Sequence, residues 1–453
     1  TVPGAEQVGS LKDSDEGKLT SRSALHVGSM FVNDTWAVGR VTLNGGVRFD
    51  RYHGWLPEQE QLAASVGPTS VPAAVFGEQH LYTWNQVAPR IGITYDLSGE
   101  GRTVIKANYG LYWHNPGVGV GSDANPNTTA KSETYVWNDL NGDRRWQPGE
   151  QGNRTGQSLA GTISLDPNIK APKSHEATVW LERQLTDTMG IRTGFVYKTE
   201  DDLIGIFVPG RSALNGAYSV PFPFTDIGPD GRANTADDRV LTLLGLPSSQ
   251  QSQFPLNQVV MNVPGEGRYS RYKTVEASLT RRFANRWSAQ IGGAYSWLDD
   301  FVETVANSFP QTPDRPGATE RTIWNMKATA TYDGPWGVRI SPVLRHQSGV
   351  NFARQISVPG SAGNAFGLVF PASTIYADDP SENREDNIWV FDVRAEKTVT
   401  LVGRLRTRLF FDAFNITNSH ASETISRATG LGYQKPSAIL APFTTRVGFR
   451  LLW

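Results

Sequence analysis

Apolar and polar residues trade places along this chain with a period of two, over and over. In 102–114, Thr103, Ile105, Ala107, Tyr109, Leu111 and Trp113 share a face opposite Lys106, Asn108 and Gly110. In 190–203, Ile191, Thr193, Phe195 and Tyr197 alternate with Arg192, Gly194 and Lys198. Val275, Ala277 and Leu279 oppose Thr274, Glu276, Ser278 and Thr280, and Trp287, Ala289, Ile291, Gly293, Tyr295 and Trp297 oppose Ser288, Gln290, Gly292 and Ser296. Such a period predicts β-strands with one greasy side and one polar side. The last eleven residues repeat it: Phe443, Thr445, Val447, Phe449, Leu451 and Trp453 on one face, Thr444, Arg446, Gly448 and Arg450 on the other, with Leu452 the exception.

The strands come in pairs joined by tight polar turns. The pattern predicts 20–33 with 36–51 hinged at Asn33-Asp34, 87–97 with 102–114, 174–184 with 190–203, 269–283 with 287–299, 321–333 with 336–349, and 388–399 with 403–417. The strand 441–453 stands alone. Each predicted strand is long enough for the ~9–11 residues that a tilted strand needs to cross a bilayer. Turns of a few residues alternate with long segments at 52–86, 115–173, 204–268, 300–320, 350–387 and 418–440. Short turns on one rim and long loops on the other make the outer-membrane pattern, with turns periplasmic and loops extracellular. The expected fold class is therefore all-β, a transmembrane antiparallel up-and-down β-barrel in which about thirteen strands are visible. Tryptophans near strand ends (Trp36, Trp113, Trp287, Trp297, Trp324, Trp336, Trp389, Trp453) suit an aromatic girdle.

Composition adjusts this picture. Lys plus Arg is 43 against 44 for Asp plus Glu, so no global field points to nucleic acid. Charged residues are 19% and cysteines are absent, which removes disulfide scaffolds, thiolate zinc sites and cysteine nucleophiles. No run approaches the ~18 apolar residues of a membrane helix. A mean hydropathy of −0.38 would suit a soluble protein, yet strands that alternate lipid-facing and lumen-facing residues give the same low mean. Parity adds an expectation: thirteen strands counted back from a periplasmic end start outside the cell, whereas single-chain barrels have even strand numbers and periplasmic termini. The 453 residues are thus expected to form one barrel domain, the C-terminal part of a larger barrel.

Arg446, Gly448, Leu451 and Trp453 hold the spacing polar-x-Gly-x-x-apolar-x-aromatic. It resembles the C-terminal signal read by the barrel assembly machinery during insertion into outer-membrane lipid. The segments MFVNDTWAVGRVTLNGGVRFDRY (30–52), APRIGITYDLSGEGRTVIKANYGLYW (88–113), LDPNIKAPKSHEATVWLERQL (165–185), YKTVEASLTRRFANRWSAQIGGAYSW (272–297) and LFFDAFNITN (409–418) resemble TonB-dependent receptors of the Oar-like group. That resemblance implies a 22-stranded barrel filled by an N-terminal plug, with TonB as the energising partner. Neither a plug nor a TonB box is read in 1–453, so energised transport is expected to rest on residues outside it or not to occur.

Two acidic loops are candidate calcium sites. In DLNGDRRWQPGE, Asp139, Asn141, Asp143 and Glu150 take positions 1, 3, 5 and 12 of a calcium loop, although Arg144 stands where that loop normally requires glycine. In DIGPDGRANTADD, Asp226, Asp230 and Asp237 take positions 1, 5 and 12 with Asp238 beside them, and Gly228 removes a ligand at position 3. The alternative is solvated Asp/Asn/Gly turns. The seven histidines show no metal-ligand spacing, and no nucleophile elbow or P-loop occurs. Arg404, Arg406 and Arg408, with Arg446 and Arg450, form an expected lumen-facing basic wall. It reads either as a path for an anionic ligand or a plug dock, or as a wall salt-bridged to Asp392 and Glu396. Two functions remain open: a barrel importing a bulky nutrient, or a structural or adhesive surface protein that displays ordered loops.

Overall fold

The computed structural model describes residues 5–8, 21–61, 63–66, 69–127, 132–145, 147, 149–158, 163–211, 216–255, 257–263, 269–301, 318–378 and 382–452. One thirteen-stranded sheet dominates it. Its strands are β1 (Ala24–Val38), β2 (Val41–Leu56), β3 (Gln79–Asp96), β4 (Thr103–Trp113), β5 (Lys173–Thr186), β6 (Met189–Asp201) and β7 (Tyr269–Ala284). They continue with β8 (Trp287–Phe301), β9 (Ala318–Asp333), β10 (Val338–Gln347), β11 (Ile388–Val402), β12 (Leu405–Phe414) and β13 (Thr444–Leu452). Each strand pairs antiparallel with the next in chain order, the up-and-down meander that the alternation predicts. Among the described residues β1 and β13 are each paired on one side only.

Register carries the two faces around the sheet. Val47 lies opposite Pro89, Ile91 opposite Tyr109, Tyr109 opposite Ala177, Phe195 opposite Val275, and Leu409 opposite Phe449. A one-residue slip anywhere would move apolar side chains to the polar side, so the alternation fixes the register. The outward positions are strongly exposed for apolar groups: Ile91 at 61%, Phe449 at 68%, Val447 at 77%. Surface of that kind demands a hydrocarbon solvent.

The turns come from local chemistry. Asn285 and Arg286 both take positive φ, at 49° and 71°, which makes the two-residue turn whose twist matches its strands. Asp96 accepts hydrogen bonds from the backbone N–H of Ser98, Gly99 and Gly101 and so folds the β3–β4 turn onto itself. The first hinge corrects the sequence reading. It lies at Gly39-Arg40, with Gly39 at φ 58°, while Asn33 and Asp34 sit inside β1. Asn33-Asp34 has turn-forming composition, but pairing runs straight through it, and the outward row of Met30 and Val32 resumes at Trp36 and Val38 with Asp34 its one polar member.

An aromatic row runs across the outward face toward the long-loop rim. Tyr295 and Trp324 stack at 5.8 Å with planes 9° apart, and His346 stacks on Trp389 at 3.9 Å. Trp36, Trp287 and Trp336 stand at the opposite rim. Aromatic residues thus bracket the apolar band as a girdle does. Trp453 lies outside the described residues.

A charge on the outward band is expected to be costly and one on the inward face tolerated. Ile291→Lys should lower unfolding stability in phosphatidylcholine vesicles by about 2–4 kcal/mol, and Gly292→Ser on the facing side by far less. A urea titration of both variants reads the difference.

Candidate functional site: the polar inner wall and its loop cap

Several inward positions of the sheet carry charges in pairs. Asp412 receives Arg394 at 2.6 Å and Arg446 at 2.7 Å, with the carboxylate nearly buried between two half-exposed guanidiniums. Both arginines also lie over the Phe410 ring, Arg394 at 4.8 Å. Lys106 bonds Glu182 at 2.7 Å, and Arg192 approaches the same carboxylate while lying 3.8 Å above Trp180. Arg48 pairs with Asp50, and Arg345 with Asp392. A concavity of about 780 Å³ opens on the inner face of β1–β6, lined among others by Asn44, Arg48, Arg90, Asn108, Glu176 and Trp180.

Two glycines make these stacks possible. A Cβ on Gly194 would come within 2.3 Å of the Trp180 ring, and one on Gly448 within 2.3 Å of Phe410. Each glycine lies directly opposite its aromatic partner, so the ring folds flat across the neighbouring strand. Gly448, read from sequence as part of the insertion signal, therefore also has a packing role. On β13, Arg446 and Gly448 share the inner face and Leu451 takes the outward one.

The wall differs from its sequence reading at one residue. Arg404 stands in the β11–β12 turn, outside either strand, because Gly403 at φ 57° reverses the chain just before it. Arg406, Arg408, Arg446 and Arg450 do lie on the inner side, and Arg408 faces Arg450 across the ladder. Of these, Arg446 is the one with a carboxylate partner among the described residues.

Above the wall, the long segments pack into a cap. One apolar cluster joins Tyr52, Leu56, Tyr82 and Trp84 at the tops of β2 and β3 to Ile169 and Val260, and Trp84 Nε1 donates to the Ile169 carbonyl at 3.0 Å. A second gathers Phe222, Leu243, Ile356, Val358, Phe370 and Ile375. Beside it lies Asp226, fully buried. Arg354, 3% exposed, grips it with both terminal nitrogens at 2.8 and 2.5 Å. Arg239 adds a bond at 2.9 Å and reaches Asp378 at 2.6 Å, while Arg354 also donates to Thr429 Oγ1. One carboxylate thus ties together the segments 204–268, 350–387 and 418–440. Burial pushes the Asp226 carboxyl up, but the two guanidiniums outweigh it and hold it below the usual carboxylate range.

Asp226, a candidate calcium ligand by spacing, gives its oxygens here to Arg354 and Arg239. Asp230 accepts from its own turn at Arg232 N–H, and Asp238 from Asn234 N–H and Thr235. Asp237 lies against Gly228, and its Thr235 hydrogen bond leads the causes holding it below the usual range. In the first loop, Asp139 accepts from Gly142 and Arg144 N–H, and Asp143 from Arg145 N–H and the Gln147 side chain. Asn141 contributes to the same turn by accepting from Asp143 N–H. Glu150, 4% exposed, accepts from Trp137 Nε1, Leu140 N–H and Gln147 N–H. These are self-capped turns. Among the described residues no group of three or more His, Asp or Glu is placed to hold a metal ion. Sequence reasoning missed Arg354 and Arg239. The signal available was the pair of apolar runs at 220–226 and 239–247, which form a hairpin that buries Asp226 at its end.

Residues 9–340 match the family model described as outer membrane beta barrel domain. The TonB-dependent transporter Oar of Myxococcus xanthus is 25% identical over 295 residues, covering 59% of this chain and 22% of Oar. Among solved structures, the outer membrane transporter YddB from Escherichia coli is 11% identical with a TM-score of 0.44, covering 95% of this chain and 54% of YddB. The ferric-catecholate import receptor Fiu from Escherichia coli is 11% identical with a TM-score of 0.49, covering 95% and 45%. The chain spans 22% of Oar and about half of YddB and Fiu.

Asp226→Asn takes from buried Arg354 the nearer of its two carboxylates, leaving only Asp378 at 3.7 Å from its Nε, and breaking such a buried pair costs up to about 3–5 kcal/mol of local stability. Hydrogen exchange should rise together in 220–247, 354–378 and 427–430 in that variant. Because the folded carboxyl titrates below its ordinary value of ~3.9, its contribution is fully present above that pH and is lost as the pH falls through the depressed value. Exchange in the same three segments should therefore stay slow at neutral pH and accelerate only in stronger acid. Added calcium should not slow it.

Proposed function

The chain belongs to the outer membrane beta barrel domain family, and on that footing we propose that it forms the wall and surface cap of a TonB-dependent transporter for a bulky nutrient. The observation that carries the reading is the inner wall of paired charges beneath an ordered loop cap. An inner surface of this kind stays hydrated, so it suits a route for a polar solute or the seat of a plug. The cap suits capture of a solute too large to diffuse through a narrow pore. Similarity to Oar, named as a TonB-dependent transporter, supports the energised class. In this reading the short-turn rim faces the periplasm, the long-loop rim faces outward, and outer-membrane lipid surrounds the apolar band. TonB and the barrel assembly machinery are the proposed partners.

A structural or adhesive role is the second reading, favoured by loops packed around their own apolar cores. The full-length protein decides between them. Its cells should accumulate a labelled cargo in a manner abolished by a protonophore, and a TonB periplasmic domain should crosslink to it. Normal accumulation without proton-motive force, or cell adhesion lost on deletion with uptake unaffected, would overturn the transport reading.

A further inference from the structure

The outward face of β6, β7 and β8 changes character in steps toward the long-loop rim. Facing residues form layers two positions apart, about 6–7 Å each. Ile191, Leu279 and Ile291 make one layer, then Thr193, Ala277 and Gly293, then Phe195, Val275 and Tyr295. The next is Tyr197, Lys273 and Trp297, and the last is Thr199, Arg271 and Asp299. Lys273 thus sits between two aromatic rings at the upper edge of the apolar band, is exposed, and makes no ion pair among the described residues. Arg271 lies above it, 3.5 Å from Asp299.

A third cation comes from a loop. Arg384 lies 4.7 Å over the outward Trp324 ring. Four of its N–H groups go to neutral oxygens: the Thr322 carbonyl and hydroxyl, the Gly349 carbonyl and the Asn351 side chain. The guanidinium is therefore fixed in position and makes no ion pair among the described residues. These side chains border one open pocket of about 650 Å³, whose lining brings Lys273 and Arg384 together beside the Arg271–Asp299 pair.

We propose that this pocket binds the phosphorylated headgroup of an anionic lipid in the leaflet around the long-loop rim, with its acyl chains against the apolar layers below. A point-charge ammonium and an oriented guanidinium recognise phosphate oxygens. The site looks away from the lumen and stands directly on the apolar band, so its occupant must be amphipathic and lie in the bilayer plane. Chains that merely snorkel would place cations at the rim without a loop residue hydrogen-bonded into position to meet them. The inference rests on the membrane assignment of this face and is independent of any cargo.

The test uses the full-length protein in neutral detergent, with diphosphorylated lipid A as the probe and native mass spectrometry as the readout. Lys273→Gln and Arg384→Gln should each weaken lipid retention about fivefold, the contribution of one cation beside an anionic lipid surface. Lys273→Arg should retain binding, and Arg183→Gln at the opposite rim should change nothing. Dephosphorylated lipid A should be held no better by the parent protein than by the variants, and excess inorganic phosphate should not displace the lipid. Heat-modifiable gel migration confirms that each variant is folded. Undiminished retention in folded Lys273→Gln with Arg384→Gln would overturn the proposal, as would displacement of the lipid by free phosphate.

Discussion

No peptide group can be left unpaired in hydrocarbon, and this requirement governs the molecule. An open N–H or C=O there costs several kcal/mol, so the chain crosses only as a continuous ladder from β1 to β13. Once the ladder is fixed, alternate side chains have no choice of side. The outward set must be apolar or aromatic, and the inward set is free to be polar. The low mean hydropathy, the lack of long apolar runs and the exposed Ile91, Val447 and Phe449 are consequences of that one rule.

The inner wall shows what this freedom allows. Much of its charge is paired, Asp412 being shared by two arginines and Glu182 by Lys106 and Arg192, while Arg406, Arg408 and Arg450 form a one-sign cluster near the short-turn rim. Aromatic rings laid over Gly194 and Gly448 give the guanidiniums flat surfaces on which to rest. Side chains so held keep their rotamers, and a wall with fixed charges presents a defined pattern to whatever lies inside it.

The strands were legible because their signal is local and repeated. All seven predicted groups from 20–51 to 441–453 appear within a few residues of their expected bounds, with the largest offsets at the first hinge and at the N-terminal end of β3. Asn33-Asp34 misled because its composition is that of a turn, although the outward row resumes at Trp36 and Val38 beyond the single polar interruption at Asp34. Arg404 misled because a turn glycine one residue earlier removes it from the alternation. The loops were opaque for another reason. The partner of Asp226 is Arg354, 128 residues away, and no pattern within a window of a dozen residues can announce such a contact. Spacing alone made Asp226 resemble an ion ligand, whereas its burial between two guanidiniums is a property of the assembled cap.

That separation also imposes an order of events. Adjacent strands meet through turns of a few residues, so hairpins zip at small cost in loop entropy. Asp226, Arg354 and Thr429 come within reach of one another only after β7 to β13 have aligned the segments that carry them. A carboxylate cannot enter an apolar cluster ahead of its counter-charges. This part of the cap must therefore lock after the strands beneath it, like the centre stone of an arch set once both sides stand.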